Sequence, residues 1–207
     1  MPNKDTPRRE REKLRHRKEI LDAALVLFSE SGFHNVSMQQ IAAKAEFAIG
    51  TLYNFFENKE ALYRTLIREL TNKFLETLIS AIDSEEDEVE KLKNYVSAKA
   101  AVFRSNLAVI RLYHQETSGA SFNIKASLDV EVRNQYNQFM VRLTKVFEDG
   151  MKKKRFKKIA DPYYLALAVD SLTNAVLIGC LEDPENRSYS QDPDFLLNIF
   201  FKGLLDL

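Results

Sequence analysis

The sequence contains little cysteine, glycine, proline or tryptophan, and each shortage excludes a class of structure. Cys180 is the only cysteine, so an intrachain disulfide is excluded and a reducing compartment, the cytoplasm, is expected. Only 6 glycines and 5 prolines occur in 207 residues, which favours long helices over many short strands. Because no stretch alternates apolar and polar residues between turn signals, we predict an all-α fold without a sheet.

Metal-binding and membrane-spanning patterns are also missing. His16, His34 and His114 have no cysteine or carboxylate at ligand spacing, so we predict no metal site and no cofactor. The charged N-terminus is not a secretory signal peptide. The most apolar stretch, residues 163–181, is interrupted by Asp170, and we predict a buried helix there rather than a membrane span.

The net charge is zero, but the charges are unevenly distributed. Residues 1–75 carry a net charge of +3 and residues 76–207 a net charge of −3, and the first 20 residues hold 8 positive and 4 negative side chains. Salt screens charges beyond about 8–10 Å, so local charge decides contact with phosphate groups. Residues 1–16 are interpreted as a charged extension, either solvated or lying along DNA phosphates.

Nine helices are predicted from apolar periodicity and capping residues. Thr6 could act as N-cap with Pro7 at the first helical position, which would make the charged extension helical rather than coiled, and Gly32 ends the first helix in a left-handed conformation. Ser37 and Asn58 are expected to cap later helices, as are Asp161 and Asp192, each followed by proline at the first helical position. The first predicted helix ends at Ser31, the second follows Ser37 and the third begins near Ala48. The other six span 59–82, 88–104, 107–117, 124–153, 162–182 and 193–206.

The segment from Phe33 to Leu62 is typical of a helix-turn-helix that enters a DNA major groove. Leu52, Phe55 and Phe56 can form the apolar back of a short helix. The opposite side is polar or small, as a helix that reads base edges requires. We predict DNA contacts from both helices of the pair, at Ser37, Gln39, Gln40, Ala48, Ile49, Gly50, Thr51, Tyr53, Asn54 and Lys59.

Residues 15–62 resemble the DNA-binding domain of the tetracycline-repressor (TetR) family. The resemblance rests on Ile-x-x-Ala-Ala-x-x-Leu-Phe from Ile20, on Ser37-x-x-x-Ile-Ala, and above all on Gly50-Thr-Leu-Tyr-x-Phe-Phe-x-x-Lys-x-x-Leu62. It implies a three-helix DNA-binding domain at 17–60 and a helical effector-binding and dimerisation domain at 61–207. It also implies phosphate contacts from Thr51, Tyr53 and Lys59 and base reading by Ile49 and Asn54.

The turn departs from the family pattern, because it reads Ala45-Glu46-Phe47 where glycine commonly follows alanine. Glu46 is expected to adopt this turn at a cost in backbone strain. Ile49 stands where a polar residue is frequent, so contact with a thymine methyl group is predicted there.

The last two predicted helices are apolar on nearly every side, which predicts a homodimer that buries them against their symmetry mates. The resemblance implies the same interface. We predict that it contains Ala168, Ser171, Ala175, Gly179, Phe195, Ile199 and Phe200.

The middle helices are expected to enclose a pocket for a small apolar or aromatic effector, which the aromatic residues indicate as a group, although ordinary core packing is the simpler interpretation of each one taken singly. The predicted lining consists of Phe74, Leu78, Tyr95, Phe103, Leu107, Tyr113, His114, Phe122, Phe139 and Leu143. The run Lys152–Arg155 is interpreted as a helix C-terminus rather than a nucleic-acid patch. Asp170 has no base nearby in sequence and is expected to form a pocket or interface hydrogen bond.

These features together predict a DNA-binding transcriptional regulator, a repressor that its ligand releases from the operator, and not an enzyme. The alternative is a helical ligand carrier or small enzyme whose helix-turn-helix no longer binds DNA.

Overall fold

The computed structural model describes residues 7–84, 87–107, 110, 122–182 and 193–201. These residues form eight α-helices, and no strand occurs among them, which confirms the predicted all-α fold. The helices are α1 (Arg8–Ser31), α2 (Met38–Lys44), α3 (Ile49–Phe55), α4 (Lys59–Asp83), α5 (Glu88–Ser105), α6 (Phe122–Lys152), α7 (Pro162–Glu182) and α8 (Pro193–Phe201). The ninth predicted helix, at 107–117, lies almost wholly outside the described residues.

Side chains cap the helix starts largely where the sequence predicts. The amide of Ala61 donates to Asn58 Oδ1 at 2.7 Å, and that of Tyr163 donates to Asp161 Oδ1 at 2.9 Å. Asp87 caps α5 by accepting from two amides of its first turn. The prediction for α1 was wrong by one position, because Pro7 is the N-cap with an extended backbone rather than the first helical residue.

Gly32 ends α1 with φ of 78° and ψ of 158°. The positive φ agrees with the prediction, but the large ψ lies outside the left-handed helical region. This combination is accessible essentially to glycine alone.

The described residues divide into two compact units. The first extends to Leu70, so it includes the beginning of α4, and it takes in the start of α6 up to Asp129. The second contains Thr71–Leu107 and the chain from Val130 onward.

The core of the first unit is formed by α1–α3 and the start of α4. Ile20, Phe28, Ile41, Leu52 and Leu62 are fully buried in it. The rings of Phe28, Phe33 and Tyr63 form one cluster, with centroids 4.9–5.7 Å apart. This cluster joins α1, the loop that follows it and α4, while buried Ile41 and Leu52 attach α2 and α3 to the same core.

The core of the second unit is formed by the rest of α4 and by α5–α8. Phe139, Leu143 and Phe147 of α6 are buried at its centre. After α6 the chain turns sharply, and buried Phe156 folds back over Gly150. A Cβ atom added to Gly150 would lie 2.2 Å from Phe156 Cδ2, so only glycine permits this packing.

Residues Pro162–Cys180 of α7 are long and apolar enough to cross a membrane by length and composition, a test that core helices of soluble proteins also pass. Asp170, near the middle of this segment, is buried and hydrogen-bonded to α5 and α6. We therefore interpret α7 as a core helix.

Candidate nucleic-acid interface

A reciprocal capping box fixes the start of α2. The Gln40 amide donates to Ser37 Oγ at 3.2 Å, while the Ser37 amide donates to Gln40 Oε1 at 2.7 Å. Gln39, between them, is exposed. The cap confirms the predicted helix start, and it engages the polar groups of two residues that we predicted to contact DNA.

The turn between α2 and α3 has the hydrogen-bond pattern that commonly ends helices at glycine. The amide of Phe47 donates to the Ala42 carbonyl at 2.9 Å, and that of Glu46 donates to the Ala43 carbonyl at 3.2 Å. Glu46 has φ of 60°, the left-handed conformation in which the Cβ of an L-residue is crowded. The predicted strain at this position is therefore present.

One side of the short helix α3 packs on the core of the first unit, and the other side faces solvent. Leu52 and the following Phe56 are buried, whereas Ile49, Tyr53 and Asn54 are exposed. Tyr53 has half of its surface accessible. Thr51 is partly covered, while Ala48 and Gly50 are exposed. Most of the α3 residues that we predicted to face DNA are therefore exposed on this one short helix of the first unit.

Gly50 has open space where a side chain would stand. A Cβ added there meets nothing within 4 Å, and its φ is not positive. The fold therefore does not require glycine at this position, whereas a closely approaching partner would.

Lys59, a predicted phosphate contact, has a different task in the structure. Its ammonium donates to the carbonyls of Phe33 at 2.8 Å, His34 at 3.4 Å and Val36 at 2.8 Å. The ammonium also lies 4.4 Å from the centroid of the Phe33 ring. Contact between Lys59 and phosphate remains a prediction, and its donors already have acceptors inside the protein.

The basic N-terminal segment is helical from Arg8 onward rather than coiled. Its charges pair along the helix, as in Arg8–Glu12 at 3.0 Å and Arg15–Glu19 at 3.6 Å. Exposed pairs of this kind contribute about 0–1 kcal/mol each, so they add little to the fold. Residues 1–6 lie outside the described residues, and the choice between a solvated and a DNA-bound extension stays open.

The run Lys152–Arg155 ends α6, in line with our interpretation of a helix C-terminus. Lys153 donates to Glu88 at 2.6 Å, and Arg155 lies 3.4 Å from Asp87. Two of these basic side chains thus pair with acidic residues at the start of α5.

The predicted effector pocket corresponds partly to the core of the second unit. Leu78, Tyr95, Phe139 and Leu143 are buried in one cluster, with Phe74 packed against it. Phe103 is also buried, but Leu107 is 39% exposed at the end of α5. Leu107 follows the end of α5, and its place in the lining stays a prediction. Tyr113, His114 and the side chain of Phe122 lie outside the described residues.

Four buried or half-buried polar residues meet inside this second unit, and we call Tyr95, Lys99, Tyr136 and Asp170 the Asp170 network. Asp170 accepts from the hydroxyls of Tyr95 and Tyr136, each at 2.6 Å, and forms an ion pair with Lys99. Lys99 also donates to the Tyr95 hydroxyl at 2.9 Å. The expected hydrogen bond of Asp170 is present, but Lys99 was missed.

A sequence signal for Lys99 existed. Lys99 continues the row of Leu92, Tyr95 and Phe103 on one side of α5, so a charge stands on an otherwise apolar stripe. The one acidic residue in the apolar middle of α7 was its natural partner.

Burial sets the protonation of the network. Burial raises the pKa of Asp170, but the Lys99 charge and three hydrogen bonds outweigh it and hold the pKa below its ordinary value. Burial lowers the pKa of Lys99 against the opposing effect of Asp170. Burial and the bond to Asp170 raise the pKa of Tyr136. Asp170 is therefore the carboxylate of this ion pair at neutral pH.

The predicted dimer residues are mainly exposed in the second unit. Ala168, Ser171 and Ala175 are exposed on α7, as are Phe195 and Ile199 on α8. Gly179 is half-buried. Phe200 also packs within its own chain, because its ring lies against that of Phe147 with centroids 6.1 Å apart.

Comparison with known proteins gives consistent matches. Residues 20–66 match the family model described as bacterial regulatory proteins, tetR family. The chain is similar to the fatty acid metabolism regulator protein of Bacillus subtilis, with 32% identity over 94 residues that cover 44% of this chain and 48% of that protein. This match spans only about half the length of that relative.

Two further similarities extend over most of the chain. IcaR, the negative transcriptional regulator of the biofilm operon icaADBC in Staphylococcus epidermidis, is 24% identical over 198 residues, which cover 88% of this chain and 97% of IcaR. The crystal structure of the transcriptional regulator FadR from Bacillus subtilis in complex with stearoyl-CoA superposes with a TM-score of 0.75 at 19% identity, covering 90% of this chain and 98% of that one. At this identity the structural match establishes the fold.

Proposed function

We propose that this chain, whose residues 20–66 match the tetR family of bacterial regulatory proteins, is a DNA-binding transcriptional repressor of that family that a small ligand releases from its operator. The observation that carries this proposal is the outer surface of α3. Ile49, Gly50, Tyr53 and Asn54 face solvent there, while Leu52 anchors the helix from behind. A short, firmly held helix with a small and polar face suits insertion into a major groove.

We assign the contacts by chemistry. The hydroxyls of Thr51 and Tyr53 donate to phosphate oxygens, Asn54 pairs with a base edge, and Ile49 contacts a thymine methyl group. Gly50 allows the backbone of α3 to approach the groove. Gln39, exposed at the start of α2, contacts the sugar-phosphate backbone of the DNA beside the groove. Ser37 and Gln40 act there chiefly by fixing the helix start.

The functional molecule in this proposal is a homodimer. Small exposed residues on α7 with exposed Phe195 and Ile199 on α8 form an apolar surface that a second copy would cover. A two-fold dimer presents two copies of α3, which successive major grooves accept when they lie about 34–36 Å apart.

The proposed effector is an apolar or aromatic small molecule bound by the helices of the second unit. The aromatic residues of that core support it, as does the stearoyl-CoA complex of FadR, a protein of the same fold. The ligand acts by favouring a conformation with lower affinity for DNA. Because its target is chromosomal DNA, we place the protein in the bacterial cytoplasm, and we assign it no catalytic step.

Selection of bound duplexes from a random DNA pool tests the proposal directly. The full-length chain should enrich a two-fold symmetric sequence whose half-sites lie about one helical turn apart. The matched control is the Asn54→Ala variant, which should enrich a different or less defined sequence because it lacks the base-reading amide. Failure of the wild-type chain to retain any double-stranded DNA at low salt would contradict the proposal.

A further inference from the structure

The ammonium of Lys59 lies in a cup of three main-chain oxygens. The Phe33 and Val36 carbonyls accept from Lys59 Nζ at 2.8 Å, and the His34 carbonyl does so at 3.4 Å. A lysine ammonium has three N–H donors, and here each has an acceptor within the protein. The ring of Phe33, 4.4 Å from Nζ, stabilises the charge from another side.

These contacts join the two ends of the DNA-binding helix pair. The three carbonyls stand directly before Ser37, the residue that caps α2. Lys59 stands shortly after Phe56, the residue that ends α3, and is the first residue of α4. One side chain therefore connects the entrance of α2 to the exit of α3.

Neighbouring residues hold Lys59 in this place. Asn58 caps α4 through the Ala61 amide at 2.7 Å, which fixes the backbone at Lys59. One turn later, the Tyr63 ring packs on Phe33 at a centroid distance of 4.9 Å. The cup and the helix that carries Lys59 are thus held to each other by an apolar contact as well.

We propose that Lys59 is a positioning residue, which orients α2 and α3 for DNA through the cup, and that it does not bind a phosphate group. This inference rests on the proposed function as a DNA-binding protein. It differs from the phosphate role that the family resemblance implies for the same lysine. A phosphate oxygen would have to displace main-chain acceptors that are already in place.

Arginine should not substitute for Lys59 in this role. The three carbonyls converge on one nitrogen atom, which suits a compact ammonium. A guanidinium is planar and spreads its donors over a wide fork. If Lys59 contacted a phosphate group instead, arginine should substitute for it, because arginine binds phosphate at least as well as lysine does.

The test uses the full-length chain with the variants Lys59→Met and Lys59→Arg. Lys44→Met is the matched control, because it removes an exposed positive charge from the last turn of α2. Affinity for a duplex enriched by the wild-type chain is measured at several salt concentrations and at a temperature where circular dichroism finds each variant fully folded. Hydrogen exchange of the free proteins follows the amides of Gln40 and Ile41, which bond to Ser37.

A positioning role predicts that Lys59→Met lowers affinity roughly tenfold or more, with an unchanged slope of log affinity against log salt. It also predicts faster exchange at the start of α2 and no recovery in Lys59→Arg. A slope that becomes shallower by about 0.9, with affinity retained in Lys59→Arg, would establish a phosphate contact and overturn the proposal. Unchanged affinity of folded Lys59→Met would overturn it as well, since the lysine would then serve stability alone.

Two outcomes separate this inference from the proposed function. If the wild-type chain binds no duplex, the proposed function fails, and unchanged exchange in Lys59→Met would then refute the cup as a device that fixes α2. If Lys59→Met does not fold, Lys59→Gln, which keeps two donors, replaces it in both measurements.

Discussion

Lys99 of α5 and Asp170 of α7 form an ion pair in the interior of the second unit, with both side chains less than 5% exposed. Hydroxyls of Tyr95 and Tyr136 also donate to the carboxylate. The pair connects α5 to α7, and with Tyr136 of α6 the network joins three helices of the region in which we place effector binding. Removal of one partner leaves the other charge buried and unpaired, which is costly.

Replacing Asp170 with asparagine should therefore lower the free energy of unfolding by about 3–5 kcal/mol. Urea denaturation measures this loss. The double variant Lys99→Met with Asp170→Leu, which removes both charges, should recover most of the stability, because well-packed apolar side chains often replace buried pairs without loss. If the double variant were less stable than Asp170→Asn, the pair itself would be strongly stabilising.

The stability contributed by Asp170 should also depend on pH. The pKa of Asp170 is below its ordinary value in the folded chain, and an unfolded aspartate titrates at about 3.9. Its contribution is therefore complete above roughly pH 4 and is lost as the pH falls through the folded-state value. The difference in unfolding free energy between wild type and Asp170→Asn should shrink as the pH is lowered below about 4. A constant difference over this range would exclude Asp170 as the titrating group.

Two helical glycines should respond oppositely to alanine. At Gly150, a Cβ collides with Phe156, which is buried against Phe147, so Gly150→Ala should cost about 1–3 kcal/mol of stability. At Gly50 there is open space, so Gly50→Ala should stabilise the chain by about 0.4–1 kcal/mol. Thermal unfolding measures both effects. Gly50→Ala should nevertheless bind DNA more weakly, and undiminished binding would contradict close approach at Gly50.

Glu46 carries backbone strain that glycine would relieve. Glu46→Gly should raise the free energy of unfolding by about 0.5–1 kcal/mol, because relief of a left-handed L-residue exceeds the entropy that glycine adds to the unfolded chain. Glu46→Gln serves as the control, since it removes the same charge but keeps the strained side chain. Equal stabilisation by both variants in chemical denaturation would mean that charge, and not strain, is responsible.

Tyr53 offers an exposed hydroxyl on α3 without a role in the core. Tyr53→Phe should weaken binding to all duplexes alike by about 0.5–1.5 kcal/mol, the usual net value of one hydrogen bond. Binding titrations with the selected duplex and with point-substituted duplexes measure this. A change in the preferred bases would assign Tyr53 to base reading instead of phosphate contact.

The exposed surface of α7 predicts the behaviour of the dimer. Ala175→Glu should shift the chain to a monomer in sedimentation velocity, because it places a charge in the apolar contact. Val141→Glu is the matched control, since Val141 is 70% exposed on α6 and lies outside the predicted interface. Loss of the dimer in both variants, or in neither, would contradict the assigned surface.

Local signals were enough to predict most of the fold. Helix starts at Ser37, Asn58 and Asp161 follow from side chains that reach amides a few residues away, and such signals are written in adjacent positions. The outward face of α3 follows from the spacing of Leu52 and Phe56. The strain at Glu46 was predicted from the family resemblance, because glycine commonly stands at this position of the turn.

Contacts between distant residues account for what was missed. Lys99 and Asp170 are 71 residues apart, and their pairing depends on how α5 packs against α7. Likewise, the acceptors of Lys59 lie 23–26 residues earlier, on carbonyls that no side-chain pattern marks. The closeness of Gly150 to Phe156 depends on a sharp reversal after α6. Periodicity identifies buried faces, but it does not identify which groups meet there.

The cup around Lys59 consists of main-chain oxygens, and every amino acid has a main-chain carbonyl. The contact therefore places no requirement on the side chain of residue 34, whose carbonyl accepts from Lys59. Exchanges at the outward positions of α3 that keep Lys59 and the core residues Phe28, Phe33 and Tyr63 should leave this contact in place. Operator preference can then be redesigned separately from the residues that position α2 and α3.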